Sequence, residues 1–460
     1  MFRVIFPFLS LFWSLTSCNG IINSKLPKEE NLDKEPLWES EMLSIYKPGS
    51  LNTGPPSLYI IPIYNGIIMT GYSPDDSEKF FIGLDIKTGK RVWTGDYKTW
   101  DLSNVPKGFQ FQDGEYLYFY NREILVAGGV VEYPFFKFNL STGKLIYRKI
   151  FPENIEGNPN VLKQQNGIMV SLEPYWKDPE SGLLENRFWI NNVDNIDGRL
   201  TLFVPRTNNN MVAVADQGKI GARIQDFVLV QDNGDIFLVY VLNESNTWDL
   251  NKTEKKEDYV YNINCYNITK QEWVYKNKPC DAGEVTIIKD GDIIYCGSSG
   301  YPDELRPIGL YAYYWKTGEL KWESKPSEFD PNPGLPFSPH SIAYNNGTIV
   351  FSSVSFMYGV DAQTGKVKWK RSGIGNTGSD FVFHHGVTYA TSADGFLHGW
   401  EVETGKPLLQ AKCPSKGKIY NGDSVPGFRS DIGLYVDKET DKGILVVRNF
   451  MFEYAFEAVR

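Results

Sequence analysis

Six side chains stand where residue type and position could support chemistry. Arg223 and Asp226 fall in ARIQDFVLV, His340 in SPHSIAY, Asp380 in GSDFVFHH, and Arg429 and Asp431 in FRSDIGLYV. Each lies at or just ahead of a β-rich apolar run. A carboxylate such as Asp380 or Asp431 is the kind of group that serves as a base beside an alcohol carbon. Arg223, Arg429 and His340 would make the same neighbourhood a polar mouth for a ligand. A plain solvated surface accounts for these residues equally well.

Other signals are weaker. Gly373-Ile-Gly375-Asn-Thr-Gly378 matches GxGxxG, but it lies between two strand-like runs, and a dinucleotide fingerprint must open a helix. It reads as a connection between sheets. With only four His in the chain, a His-built metal site is not expected. Of five Cys, Cys18 belongs to the N-terminal segment, and Cys265, Cys280, Cys296 and Cys413 allow three complete pairings that spacing does not choose among. There is no CxxCH and no vicinal Cys pair. The formal charge of −9 comes with no basic cluster, which argues against nucleic acid as a partner.

The elements that position these residues follow from one recurring stretch. It reads GLDIKTGKRVW at 83–93, and returns at 136–147, 310–322, 357–369 and 397–409, with worn copies at 189–202 and 261–273. A strand enters, a tight turn follows, and a strand leaves. Four residues before the glycine stands Asp85, Asn139, Asp194, Tyr314, Asp361 or Glu401; an Asp or Asn there can accept backbone N–H bonds and close the turn. Gly89, Gly143, Gly198, Gly318, Gly365 and Gly405 are expected to supply positive φ. Trp93, Trp273, Trp322 and Trp369 are flat plates expected to pack between neighbouring sheets. The unit is structural.

A second signal keeps the same period. Asn65-Gly66, Asp113-Gly114, Asn166-Gly167, Asn233-Gly234, Asp290-Gly291, Asn346-Gly347, His385-Gly386 and Lys442-Gly443 each precede a β-rich run, and most are strong hairpin pairs. They predict eight inner hairpins against seven strand–turn–strand units. The last run leads to FMFEYAFE and then the chain ends, while KEPLWES at 34–40 resembles ELKWESK at 319–325. Trp38 is thus the missing eighth plate. The reading is all-β: an eight-bladed β-propeller of four-stranded antiparallel blades, closed by the N-terminal strand and spanning 34–460. The six polar residues then fall near the starts of innermost strands, at the mouth of the central channel.

The unit resembles the pyrroloquinoline-quinone (PQQ)-type repeat: a hydrophobic strand, Asp, Thr-Gly-Lys and Trp. Quinone-dependent alcohol dehydrogenases built of this repeat carry a vicinal Cys pair, a calcium set of Glu, Asn and Asp, and a catalytic Asp. The vicinal pair is missing here, although sugar dehydrogenases using the same quinone can lack it.

Residues 1–17 read as a signal peptide. Met1-Phe2-Arg3 is a short charged start, and Val4 to Leu15 is too short an apolar run to span a bilayer. Leu15-Thr16-Ser17-Cys18 resembles a bacterial lipobox, which implies acylation of Cys18 and stable anchoring by its acyl chains. Asn19 in place of Asp favours the outer membrane, by resemblance to enterobacterial sorting. Residues 18–33 form a polar tether. Insertions at 171–189, 241–262 and 298–309 are natural places for partner contacts.

Lipobox and repeats together resemble the BamB-like propeller lipoproteins of the outer-membrane β-barrel assembly machinery. That resemblance implies a non-enzymatic, lipid-anchored scaffold of the cell envelope, held to the membrane by lipid alone. Its partners would be envelope proteins such as barrel-assembly subunits, with no cofactor. Two alternatives remain: an oxidoreductase holding PQQ and calcium, and a surface carbohydrate- or protein-binding lipoprotein.

Overall fold

The computed structural model describes the strands and their tight turns. Residues 1–32, 43–59, 73–79, 96–109, 121–123, 126–130, 133, 151–160, 179–182, 205–223, 225, 244–259, 282–286, 299–307, 330–338, 354–355, 373–378, 393, 421–422, 425–426, 429–431, 450 and 460 lie outside that description. The lipobox and the tether therefore fall outside it.

Eight four-stranded antiparallel sheets follow one another along the chain. Blades 1 to 7 span 63–94, 110–150, 161–203, 227–279, 287–324, 339–372 and 382–412. Blade 8 takes three strands from 432–457 and its fourth, Trp38–Glu41, from the N-terminal side. Trp38 pairs with Ala455 and Glu41 with Phe452. First strands of successive blades lie side by side for most of the ring, including blades 8 and 1, so they line the axis. Apolar clusters fill the gaps between blades: Cys265 and Ile263 of blade 4 pack with Cys296 and Tyr313 of blade 5, and Leu409 of blade 7 with Phe456 of blade 8.

The repeat's chemistry is visible in its hydrogen bonds. In blade 1, Asp85 Oδ1 accepts the Thr88 N–H (2.9 Å) and hydroxyl (2.7 Å), and Gly89 N donates to the Asp85 carbonyl at 2.8 Å. Asn139 and Asp361 do the same in blades 2 and 6. The next residue ties this turn to the inner hairpin: Ile86 N donates to Gly66 O, and the same bond recurs in every blade through to Ala458 and Gly443. That residue's carbonyl then receives the aromatic plate of the preceding blade. Trp38 Nε1 bonds Ile86 O (2.8 Å), Trp93 bonds Leu140 O (3.0 Å), Trp322 bonds Ala362 O (3.0 Å) and Trp369 bonds Val402 O (2.8 Å).

Glycine has two jobs in these turns. Gly405 has φ +66°, and a Cβ added there would lie 2.5 Å from Trp369. On the other side of the same indole, a Cβ on Gly359 would lie 2.1 Å away. The plate is clasped between its own blade and the next, so Gly359 is fixed by close approach, and Gly405 by close approach as well as by backbone conformation. Gly143 and Gly89 meet Trp93 and Trp38 in the same manner.

Three details differ from the sequence reading. In blade 4 the plate is Tyr275, whose hydroxyl bonds Trp315 O at 2.8 Å. The pairing jumps from Cys265↔Tyr275 to Tyr266↔Trp273, and this bulge turns Trp273 to the other gap, against Tyr266. Gln271, at φ +55°, stands where other blades carry glycine. In blade 3 the turn comes two residues earlier than Asp194 suggests. Asn192 holds the capping position and its Oδ1 accepts Asp194 N at 2.8 Å, while Gly198 lies inside the strand Asn195–Phe203. Leu200, opposite Ile190, takes the plate's place. In blade 8 the inner turn is Asp437–Lys442, not Lys442-Gly443: Asp437 Oδ1 accepts Glu439 N and Thr440 N, and Asp441 takes φ +56°. The Asp-x-x-Thr turn has been reused between the first and second strands of a blade.

Candidate functional site

Channel-side polar residues are engaged in holding the ring. Gln112 of blade 2 grips Ile63 of blade 1 at both backbone groups, donating to its carbonyl (2.8 Å) and accepting from its N–H (3.1 Å). Gln164 of blade 3 donates to Asp113 of blade 2 at 2.9 Å. Asp226, one of the six candidates, pairs with Lys163 Nζ at 2.6 Å and so fastens blade 4 to blade 3; its Oδ1 also accepts Phe227 N. Nothing in the sequence marked Gln112, Lys163 or Gln164, because their partners lie one blade away.

Asp380 is exposed, with its carbonyl accepting the Ser379 hydroxyl at 2.9 Å. His340 lies in the strand Pro339–Asn345 opposite Ser352, on blade 6. Arg223, Arg429 and Asp431 lie outside the described residues. Asp226, His340 and Asp380 belong to three different blades.

A buried polar cluster that the sequence did not announce sits in blade 7. Asp394 accepts the Ser392 hydroxyl and Phe396 N (2.9 Å), and faces His398 Nε2 at 3.2 Å. His398 stacks on Trp400 with centroids 5.1 Å apart. Burial works against the charge on Asp394, but bonds from His398 and Ser392 outweigh it and hold the carboxyl below the usual carboxylate range. Asp stands between Ser and His here, so the imidazole cannot take the serine proton. The cluster caps a turn; it is not a nucleophile relay.

The thiols are unsuited to chemistry as well. Cys265, Cys280 and Cys296 gather in the core between blades 4 and 5, while Cys413 lies between blades 7 and 8, and none of the four is in a disulfide. Burial pushes the Cys265 thiol up to about 12, and Cys296 well above its ordinary value. Among the described residues no group of three His, Cys, Asp or Glu is placed to hold a metal ion.

A family model described as outer membrane protein assembly factor BamB matches residues 201–411. That stretch runs from the end of blade 3 to the end of blade 7 and includes the best-formed repeats. No curated protein matches the chain. Among solved structures, the quinohemoprotein alcohol dehydrogenase of Comamonas testosteroni is similar over 93% of this chain and 79% of its own, at TM-score 0.56 and 11% identity. Sqt1 of Saccharomyces cerevisiae matches over 89% of this chain and 98% of its own, at TM-score 0.54 and 12% identity. Both likenesses show the fold alone. BamB of Moraxella catarrhalis is matched over 85% of this chain and 99% of its own, at TM-score 0.45 and 10% identity, too loose to argue from. No helix among the described residues is long and apolar enough to cross a membrane.

Proposed function

We propose that the chain is a lipid-anchored propeller scaffold of the bacterial cell envelope that binds partner proteins and catalyses no reaction. The partners are subunits that assemble β-barrel proteins into the outer membrane, and the anchor is acylated Cys18 on the tether 18–33. The match of residues 201–411 to the BamB family model carries this reading. The use of Gln112, Gln164 and the Lys163–Asp226 pair as fasteners between blades supports it, since such side chains are committed to the ring.

A dehydrogenase on this fold would need quinone and a divalent metal held in the channel, with an Asp beside the alcohol carbon. The test is direct. Purified protein soaked in quinone and Ca²⁺ is desalted and its spectrum recorded, then assayed for dye reduction with alcohols and aldoses. The scaffold reading expects no retained quinone absorbance and no dye reduction. Stoichiometric retention, abolished by Asp380→Ala or Asp431→Ala, would make the chain an oxidoreductase instead.

A further inference from the structure

Blade 3 is built differently from the others. Its second and third strands, Ile168–Asp178 and Leu183–Asn192, are much longer than its first strand, Val161–Gln165. The first strand begins opposite Leu172, and the fourth ends with Phe203 opposite Arg187. Beyond those pairs the hairpin goes on alone, from Glu173↔Arg187 to Asp178↔Leu183. At the rise of an extended strand this arm projects roughly 20 Å past the four-stranded body.

A two-stranded ribbon is marginal on its own in water, and each of its edges carries a row of backbone N–H and C=O groups. The two edges are not equivalent. The inner one, 173–178, contains Pro174, which lacks an N–H and blunts the edge against a further strand. The outer one, Leu183-Leu184-Glu185-Asn186, keeps every donor. It also continues the line of the fourth strand, which stops at Phe203, and Phe203 is 57% exposed at that corner. Among the described residues no strand takes up the line beyond it.

We infer that the outer edge of this arm, Leu183–Asn186, is a docking edge that captures an extended segment of a partner polypeptide as an added β-strand. Main-chain hydrogen bonds supply the affinity, and the partner needs a stretch of at least four residues free of proline at the bonding positions. The added strand would take up the line that the fourth strand leaves at Phe203. This inference rests on the scaffold reading and names where and how the partner binds.

The test places a photoreactive residue at Leu184 or Asn186 of the full chain in cells, with one at Thr404 on the opposite face of the ring as the control and one at Lys418 as a second position on the arm's own face. Cross-linked residues are mapped by mass spectrometry. A second variant replaces residues 175–185 by Asn-Gly, which keeps Asn186 and ends the hairpin at the body of the blade. The inference predicts that Leu184 and Asn186 link to one other polypeptide at residues two apart, as strand pairing requires, and that the shortened variant loses the Asn186 link at least tenfold with an unchanged melting temperature. Absence of links at the arm while Lys418 links to a partner would overturn the docking edge and leave the scaffold reading standing. Absence of links at every position would sink both. Links to residues 205–223 of the same chain, or to a second copy, would show the edge capped from within or by self-pairing, and would likewise overturn it.

Discussion

On one face of the ring, each blade turns from its first strand to its second, and blades 1 to 7 turn from their third to their fourth, through short reversals. Asn65-Gly66 and Asp85–Lys90 do this in blade 1, and Asn346-Gly347 and Asp361–Lys366 in blade 6. On the other face the chain passes from the second strand to the third and from blade to blade. There lie the ends of the long blade 3 arm and the Ser392–Asp394–His398 cluster. Residue identity on the first face is dictated by packing: the plate, its carbonyl acceptor and one or two glycines interlock across each well-formed seam. The second face is released from that lock. The contrast explains why a family model finds the repeats.

The largest break should come from pulling a plate. Trp369→Ala removes an indole clasped by Gly359 and Gly405 and should cost about 3–5 kcal/mol in denaturant unfolding. Trp38→Ala should do as much and also free the edge of Phe452–Glu457, an aggregation hazard. A plate variant that unfolds at the parent's midpoint would mean the seams do not hold the ring.

Two glycines with the same backbone sign sharpen the comparison. Gly405 has φ +66° and a tryptophan against it, whereas Gly417, on the other face, has φ +80° and nothing within 4 Å. Gly405→Ala should cost roughly 2–4 kcal/mol, from strain plus overpacking, and Gly417→Ala only about 1. Equal losses would show that backbone strain alone matters.

A third prediction concerns pH. Glu453 is 0% exposed at the seam between blades 8 and 1, beside Thr70 of blade 1. Burial raises its pKa above 4.5, against the lowering pull of Arg448 opposite it and of the Thr70 hydroxyl. A carboxyl whose folded pKa is raised binds its proton more tightly in the folded state. Its contribution is therefore complete below the unfolded value and is lost as pH rises through the folded value. Glu453→Gln should be more stable than the parent at neutral pH, with the gap closing toward pH 4. A gap that widens on acidification would contradict the burial argument. By contrast Asp437, on the turn face, is held far below the usual carboxylate range by its bond with Lys87 and by backbone N–H donors.

The smallest effect should come from the arm. Replacing 175–185 by Asn-Gly removes strand beyond the four-stranded body and should change stability by less than about 0.5 kcal/mol. A cooperative loss of several degrees in melting temperature would show the arm to be part of the core.

Much of the ring is legible because its determinants are local. Asp85, Thr88 and Gly89 satisfy each other within five residues, so the turn can be read wherever they recur. Trp38 was readable for the same reason, by the letters around it. The worn blades were misread where backbone geometry kept the site and changed the residue. Tyr275 and Leu200 occupy the plate position at the right count from the turn, and only the bulge distinguishes Tyr275 from Trp273. Asp437–Lys442 was missed because the turn appears between strands where the repeat does not use it. The channel side was less legible still. Asp226 looks like a ligand residue until Lys163, more than sixty positions earlier, is seen beside it.

The central claim is that this propeller works by holding other proteins. It is tested most directly by the protein composition of the complex purified from detergent-solubilised envelope on a tagged, full-length chain. The account predicts recovery of barrel-assembly subunits in near-stoichiometric amount, retained through washing. Recovery of the chain alone, or with glycan-uptake components in place of barrel-assembly subunits, would contradict it.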